Sequence, residues 1–387
     1  MVVCRHRAAG NGRAVRAAFT MTLLCACAIS HEMQPLAEPT AGPSPTVTPI
    51  PEDSQEPLDL SCEARHEGAG AAVRWFGPRR DDDRRRLAAW CTAVGPVELR
   101  PRPTSAASAA TVDDHTLTVA TWNVHVGGGD VEGFLRAELG YECDSDAAPS
   151  HGGHFALLTQ EALRVSDAIP DRPEGAPVAG QISVDPPSGP RRDIVEIAER
   201  CGLALFYVPS MRNGARQRED RGNAILSDLP LTDPVAIELP LEAQRRVTLV
   251  ASVQVLGGSP LRLANVHFDV AGNILRVLGT GGSMRVRQND GLTEALSSLD
   301  PGNEVPIVVA GDINTWSYRE TVILRMLEEY PDSPPPGRVK TRGDWPPDHL
   351  FFGARGGALQ LVEGSYRVAS EFYGSDHRAR LATFTTR

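Results

Sequence analysis

From residue 116 onward the chain alternates short apolar runs with polar breaks, and this rhythm limits what it can fold into. Nine runs have strand length and composition: Leu117–Thr121, Phe155–Thr159, Ala204–Val208, Ala224–Leu226, Val247–Val255, Leu261–Val266, Pro306–Ala310, His349–Phe352 and Arg380–Phe384. Three stretches, Arg191–Arg200, Arg285–Leu299 and Tyr318–Glu329, carry apolar residues at helical spacing. Many strands with few helices, not strictly alternating, predict a layered α/β domain of the α+β kind rather than a doubly wound sheet. The glycine- and proline-rich segments Gly127–Gly129, the prolines of the 180s, Gly279–Gly282 and Pro334–Pro336 read as surface loops.

What precedes this domain differs in kind. Arg5, Arg7, Arg13 and Arg16 stand before the uncharged stretch Ala17–Ser30, the layout of a secretory signal over residues 1–28. The apolar run is shorter than the roughly 20 residues a permanent membrane helix needs. Leu24-Cys25-Ala26-Cys27 is similar to a bacterial lipobox, which would lipidate Cys27 and attach the chain to a membrane. Ordinary cleavage after Ala26-Cys27-Ala28 is the competing reading. The chain is therefore expected outside the cytoplasm, anchored or secreted. Residues 29–56 are rich in Pro, Ser and Thr and read as a tether that cannot bury a core. Residues 57–101 read as a small N-terminal unit, with Pro78–Arg86 a solvated helix start, and residues 102–115 as a linker to the main domain, 116–387. Cys62, Cys91, Cys143 and Cys201 make an even set for an oxidising compartment, and Cys62–Cys91 is the favoured pair among three pairings.

The chemistry lies where apolar runs end. One run meets Asn123, another Gln160-Glu161, another His267, and another Gly311-Asp312-Ile313-Asn314. Asp348-His349 opens a late strand, and Ser375-Asp376-His377 precedes the last. Singly, each suits a turn, a helix start or a satisfied polar group. Together, hard oxygen donors and two histidines at strand ends suit a magnesium-assisted phosphate site, since Mg²⁺ needs only one or two carboxylates and keeps several waters. No Gly-x-x-x-x-Gly-Lys-Ser/Thr loop is present, which speaks against a nucleotide-driven motor. A formal net charge of −10 argues against a chain that coats nucleic acid, though one basic groove could still serve a nuclease.

In sequence, Trp122-Asn123, Gln160-Glu161, Arg221 to Ser227 (RGNAILS), Asn265-Val266-His267, Gly311 to Trp316 (GDINTW), Asp348-His349 and Ser375-Asp376-His377 resemble the endonuclease/exonuclease/phosphatase superfamily. The resemblance covers about residues 114–387 and implies a four-layer sandwich, two packed β-sheets flanked by helices, with the site at one rim. It implies a Mg²⁺ site, with Mn²⁺ or Ca²⁺ as alternatives, built on Asn123 and Glu161 with Asp376 close to the ion. It implies that Asp312 deprotonates the attacking water and that Asn314 helps hold nucleophile and phosphate. His377, with Asp348 as carboxylate partner, would face the phosphate. His267 would be a second histidine, with Glu219 as its candidate partner.

Two histidine–carboxylate dyads could present positive charge without a lysine, while a nearby Mg²⁺ would keep Asp312 ionised. His125 stands where some relatives carry an acid. Arg285 and Gln288 match a frequent family spacing, the plainer reading being a helix start with a solvated face. Arg164 reads as a surface arginine. The expected activity is hydrolysis of phosphodiesters, in nucleic acid or in phospholipid and inositol phosphate substrates, with no obligate protein partner. A catalytically silent binding protein is the reading of a different class.

Overall fold

The computed structural model describes residues 73–77, 81–103, 115–143, 153–171, 189–214, 217–254, 260–270, 281–334, 339–355 and 359–386, all within the unit Pro57–Arg387. The expected export signal, Cys27, the expected tether and Cys62 lie outside the described residues. In chain order the strands are β1 (Arg74–Phe76), β2 (Glu98–Arg100), β3 (Thr116–Asn123), β4 (His154–Val165), β5 (Ala204–Arg212), β6 (Glu219–Ser227) and β7 (Thr232–Glu238). They continue with β8 (Val247–Gln254), β9 (Pro260–His267), β10 (Ile307–Asp312), β11 (Asp348–Gly353), β12 (Leu359–Leu361), β13 (Arg367–Val368) and β14 (Arg380–Thr386). The helices are α1 (Asp81–Cys91), α2 (Val131–Leu139), α3 (Ile194–Arg200), α4 (Gly281–Leu299) and α5 (Thr321–Glu329).

Two mixed sheets result. One has the order β1-β7-β8-β9-β10-β11, the other β12-β14-β3-β4-β6-β5-β2 with β13 paired to β14. Alternation along each strand assigns its two faces. Leu117 and Val119 of β3, Val308 and Ala310 of β10, and Leu350 and Phe352 of β11 point into the core between the sheets. Ala120 and Trp122 instead pack under Phe134 of α2 and Ile197 of α3. Val309 and Phe351 pack under Leu292 of α4 and Met326 of α5. Helices on both outer faces make the four-layer α+β sandwich that the strand count and the resemblance imply.

The sequence suggests that residues 57–101 form a unit of their own. Their described strands pair instead at the sheet edges, β1 parallel to β7 and β2 antiparallel to β5. Asp81, Asp82 and Asp83 fill the first turn of α1, where the helix dipole favours anions, and Leu87 and Trp90 bury its far end. The expected loop Gly279–Gly282 is overridden at its end, because α4 begins at Gly281. Cys143 and Cys201 are joined by a disulfide that ties the segment after α2 to the end of α3. Cys91 is also disulfide-bonded.

Candidate active site

Register does what no single motif can. Parallel pairing of β9 with β10 sets His267 opposite Asp312, and antiparallel pairing of β10 with β11 sets Asp348 on the other side of Asp312. His267, Asp312 and Asp348 thus stand side by side across one end of a sheet. This close fit needs Gly311, since a Cβ there would lie 1.8 Å from the Val266 carbonyl oxygen. In the other sheet, β3 and β4 set Asn123 opposite Gln160. Polar bridges then join the sheets at this end: Asn123 Nδ2 donates to Asp312 Oδ2 at 2.9 Å, and Gln160 Nε2 donates to Asn265 Oδ1 at 2.7 Å.

His377 arrives on the loop before β14, and its backbone is fixed from two directions. Trp122 Nε1 donates to its carbonyl at 2.9 Å, and its N–H donates at 3.0 Å to Ser375 Oγ, which donates at 2.7 Å to the Asn123 carbonyl. Its Nδ1 meets Asp348 Oδ2 at 2.8 Å, with both side chains buried. Burial opposes charge on this ring, but the carboxylates of Asp348, Asp312 and Asp376, Asp348 foremost, together outweigh it and raise the pKa to about 9. Asp348 would itself be raised by burial; the charge and hydrogen bond of His377 hold it below the usual carboxylate range. The structure thus brings His377 and Asp348 into the contact expected of a dyad, with the ring's pKa raised above the ordinary histidine value.

Asp312 is also buried. Its Oδ1 accepts from the Asn314 N–H at 2.8 Å, and Asn314 Nδ2 donates to the Phe268 carbonyl at 2.8 Å. Burial, followed by the nearby Asp348 charge, raises the Asp312 pKa to about 6. The carboxylate is thus a stronger proton acceptor than an exposed one.

The second dyad fails. Glu219 pairs with Arg191 at 2.7 and 3.0 Å and is no partner of His267. His267 Nε2 lies 3.7 Å from Asp312 Oδ2, and burial followed by Arg246 and Arg221 lowers its pKa well below the ordinary value. His267 is a neutral ring.

Glu161 occupies a bulge of β4, where the register shifts between Thr159 and Ala162, and its φ is 54°. A left-handed conformation in a non-glycine residue costs roughly 1–2 kcal/mol and persists where the surroundings enforce it. Asn314 (φ 57°) and His125 (φ 50°) share this feature, so backbone strain gathers at the site. Glu161 borders a cleft of about 410 Å³ together with His267, Arg221, Arg246 and Arg342. Arg221 Nη1 stands 3.7 Å from Glu161 Oε2, beyond hydrogen-bond range. A hard oxygen donor facing a cleft suits a divalent cation that completes its shell with water.

The other expected ligands are more engaged. Asn123 Oδ1 accepts from the His125 N–H at 3.0 Å. Asp376 pairs with Arg342 at 2.5 Å and lies 3.7 Å from His125 Nδ1 and 3.8 Å from His377 Nε2. Among the described residues, Asp312, Asp348 and His377, all expected to be catalytic, bring their ligand atoms within 4.8 Å of one another. The Glu132–Cys143–Cys201 group contains the disulfide and is no metal site.

No family profile matches the chain, and no curated protein does. Solved structures do match. An endonuclease/exonuclease/phosphatase from Beutenbergia cavernae is 20% identical over 70% of this chain and 72% of its own, with a TM-score of 0.44. The human Nocturnin catalytic domain with bound sulfate is 15% identical over 70% of this chain and 95% of its own, at 0.47. Sphingomyelinase C from Streptomyces griseocarneus is 15% identical over 69% and 99%, at 0.41. At this level of likeness the site's own geometry carries the functional reading.

Three arginines at the cleft, Arg221, Arg246 and Arg342, went unread in the sequence. Arg221 opens the RGNAILS run, which is a local signal; Arg246 and Arg342 have none. Two side chains read as solvent-facing are buried. Arg164 is held by Asp220 at 2.6 Å and lies over the Tyr207 ring, and Arg285 pairs with Glu320. Gln288 is buried as well, accepting from the Asp269 N–H at 2.8 Å.

Proposed function

We propose that the protein is a metal-dependent hydrolase of phosphoric esters, a phosphodiesterase or nuclease in its first reading. The observation that carries this is the row His267–Asp312–Asp348, tied to Asn123 across the sandwich and completed by a charged His377. A buried carboxylate raised toward neutrality beside a fixed imidazolium is an acceptor for a water proton next to a site for anionic oxygen.

In this mechanism Asp312 takes a proton from water as the water oxygen bonds to phosphorus. The ester P–O bond breaks, and the departing oxygen takes a proton from solvent. The His377 imidazolium faces the negative charge that develops on the phosphoryl oxygens. Asn314, anchored to Phe268, fixes the Asp312 carboxylate through its N–H. Glu161, with the Asn123 amide and Asp376, would hold Mg²⁺, with Mn²⁺ or Ca²⁺ as alternatives. The ion, when bound, supplies Lewis-acid stabilisation of that same charge.

Turnover of bis(4-nitrophenyl) phosphate by the purified chain, with Mg²⁺ and with excess chelator, tests this reading. Activity is expected with metal alone, and Glu161→Gln is expected to shift the metal titration to higher concentration by at least about tenfold, because an amide replaces an anionic donor for a hard cation. Full activity in chelator, or an unchanged titration in the variant, sinks the metal assignment. No turnover of any phosphoric ester favours the silent binding protein. Among substrates, a nuclease weakens with salt along a multi-phosphate slope, whereas a lipid or inositol phosphate hydrolase does not.

Export belongs to the same proposal. The basic start followed by Ala17–Ser30 supports it, and Cys27 would attach the chain to a membrane. The mass of the native N-terminus checks this: processing near residue 27 is expected, and an intact Met1 overturns it.

A further inference from the structure

Among the described residues, seven arginines are buried: Arg164, Arg212, Arg221, Arg245, Arg246, Arg285 and Arg380. Six make at least one guanidinium hydrogen bond to a described residue, although Arg285 Nε and Nη1 and Arg380 Nε have none. Arg164 binds Asp220, Arg212 binds the Gln217 carbonyl, Arg245 binds Glu238 and Arg246 binds Asp269. Arg285 binds Glu320, and Arg380 binds Tyr366 and Tyr318. Arg221 is the exception. Its side chain is 7% exposed, yet its guanidinium makes no hydrogen bond to a described residue, and the nearest carboxylate oxygen, on Glu161, is 3.7 Å away.

The surrounding backbone is shaped around this side chain. β4 shifts register against β6 between Thr159 and Ala162, and β5 shifts between Pro209 and Met211, both beside Arg221-Gly222. A Cβ at Gly222 would lie 2.0 Å from the Val208 carbonyl oxygen, so β5 and β6 are drawn close there. Arg221 thereby borders the cleft shared with Glu161, His267, Arg246 and Arg342. Arg246 and Arg342 are each neutralised by a carboxylate, Asp269 at 3.1 Å and Asp376 at 2.5 Å. Burying a guanidinium without hydrogen bonds is costly, and its planar fork matches phosphate oxygens.

We propose that Arg221 is the anion-binding group of this cleft and takes a phosphate-type oxyanion of the substrate. The oxyanion is either a non-bridging oxygen of the scissile phosphate or a second phosphate on the same molecule. This rests on the phosphoric-ester reading for its substrate, but the site itself follows from Arg221. Arg221 supplies a fixed positive charge to the cleft it shares with Glu161 and His267. Burial lowers its pKa from the usual arginine value, in keeping with a cation that lacks a full set of partners.

The test is a titration of the full chain with inorganic phosphate in chelator, followed by calorimetry, so that no metal contributes. Wild type is expected to bind in the millimolar range or tighter. Arg221→Gln is expected to weaken binding by about 10–100-fold, the usual worth of a charge-assisted hydrogen bond, and Arg221→Lys by less, because the charge stays and the fork is lost. Kinetics on an ester with one phosphate, and on the same ester with a second, separate the two sources. A kcat loss on both substrates assigns Arg221 to the scissile phosphate. A KM increase confined to the doubly phosphorylated ester assigns it to the second group.

The proposal is overturned if wild type binds no phosphate, or if a folded Arg221→Gln binds it as tightly as wild type. Should the Gln variant fail to fold, equal phosphate affinity in Arg221→Lys and wild type overturns it as well. Phosphate binding that depends on Arg221 in a protein that hydrolyses no ester would retain this site while removing the enzymatic reading.

Discussion

Replacing Asp312 by Asn lowers kcat by about 10²–10⁴-fold, the usual worth of a positioned general base, and leaves the melting temperature no lower than that of wild type. The two halves of this expectation have one cause. Asp312 is buried and its pKa is raised to about 6, first by burial and then by the nearby Asp348 charge. Its ionised form is therefore less favoured in the folded chain than in the unfolded one, and the protein loses stability as pH rises from the ordinary carboxylate range through about 6. Asn removes the charge and this cost together. It keeps the shape and can still accept one of the two hydrogen bonds now given by Asn123 and by the Asn314 N–H. What it cannot do is accept a proton from water. Initial rates measured beside melting curves decide the matter. A turn residue at a strand end predicts the opposite pattern, lower stability with near-normal turnover. Normal rates in Asp312→Asn defeat the mechanism.

The strands were legible because a period of two survives in short runs, and the site was legible because runs such as Val308–Ala310 end directly in Gly311-Asp312. What stayed hidden was non-local. That His267 and Asp348 flank Asp312 depends on the sheet order β9-β10-β11, which no local pattern encodes. The pairing of His377 with Asp348 came through the family resemblance, whereas Glu219 for His267 went astray. Glu219 starts β6, several residues before Ala224, whose carbonyl accepts from Asn265, and Arg191 is within its reach.

β7 escaped notice because Pro234 removes a donor from the run, and the structure accommodates it at a register shift between Thr232 and Val235. The left-handed backbone of Glu161 could not be foreseen, since a bulge depends on what the neighbouring strand supplies. Charge was the least legible property. Arg164 and Arg221 are both arginines near strand ends in the sequence, yet one is satisfied by Asp220 and the other faces a cleft. Only the fold distinguishes them.

His377→Ala should cost about 10²–10³-fold in rate, the range for removing a preorganised charge that meets the transition state. Its partner gives the more discriminating experiment. Asp348 is the largest of the three carboxylate influences that overcome burial and carry the His377 pKa to about 9; Asp312 and Asp376 are the others. If turnover needs the imidazolium, activity in wild type falls as pH rises through about 9. In Asp348→Asn the favourable carboxylate is gone while the burial penalty remains, so the ring gives up its proton at lower pH. The alkaline limb must then move down, by more than one pH unit if Asp348 is the main support. Loss of rate should accordingly be modest near the acid end and severe at pH 8. A purely structural role for the dyad predicts a uniform loss, with the shape of the profile unchanged. Rates of wild type and Asp348→Asn from pH 5 to 10 separate these outcomes, and an unmoved alkaline limb would remove His377 from the chemistry.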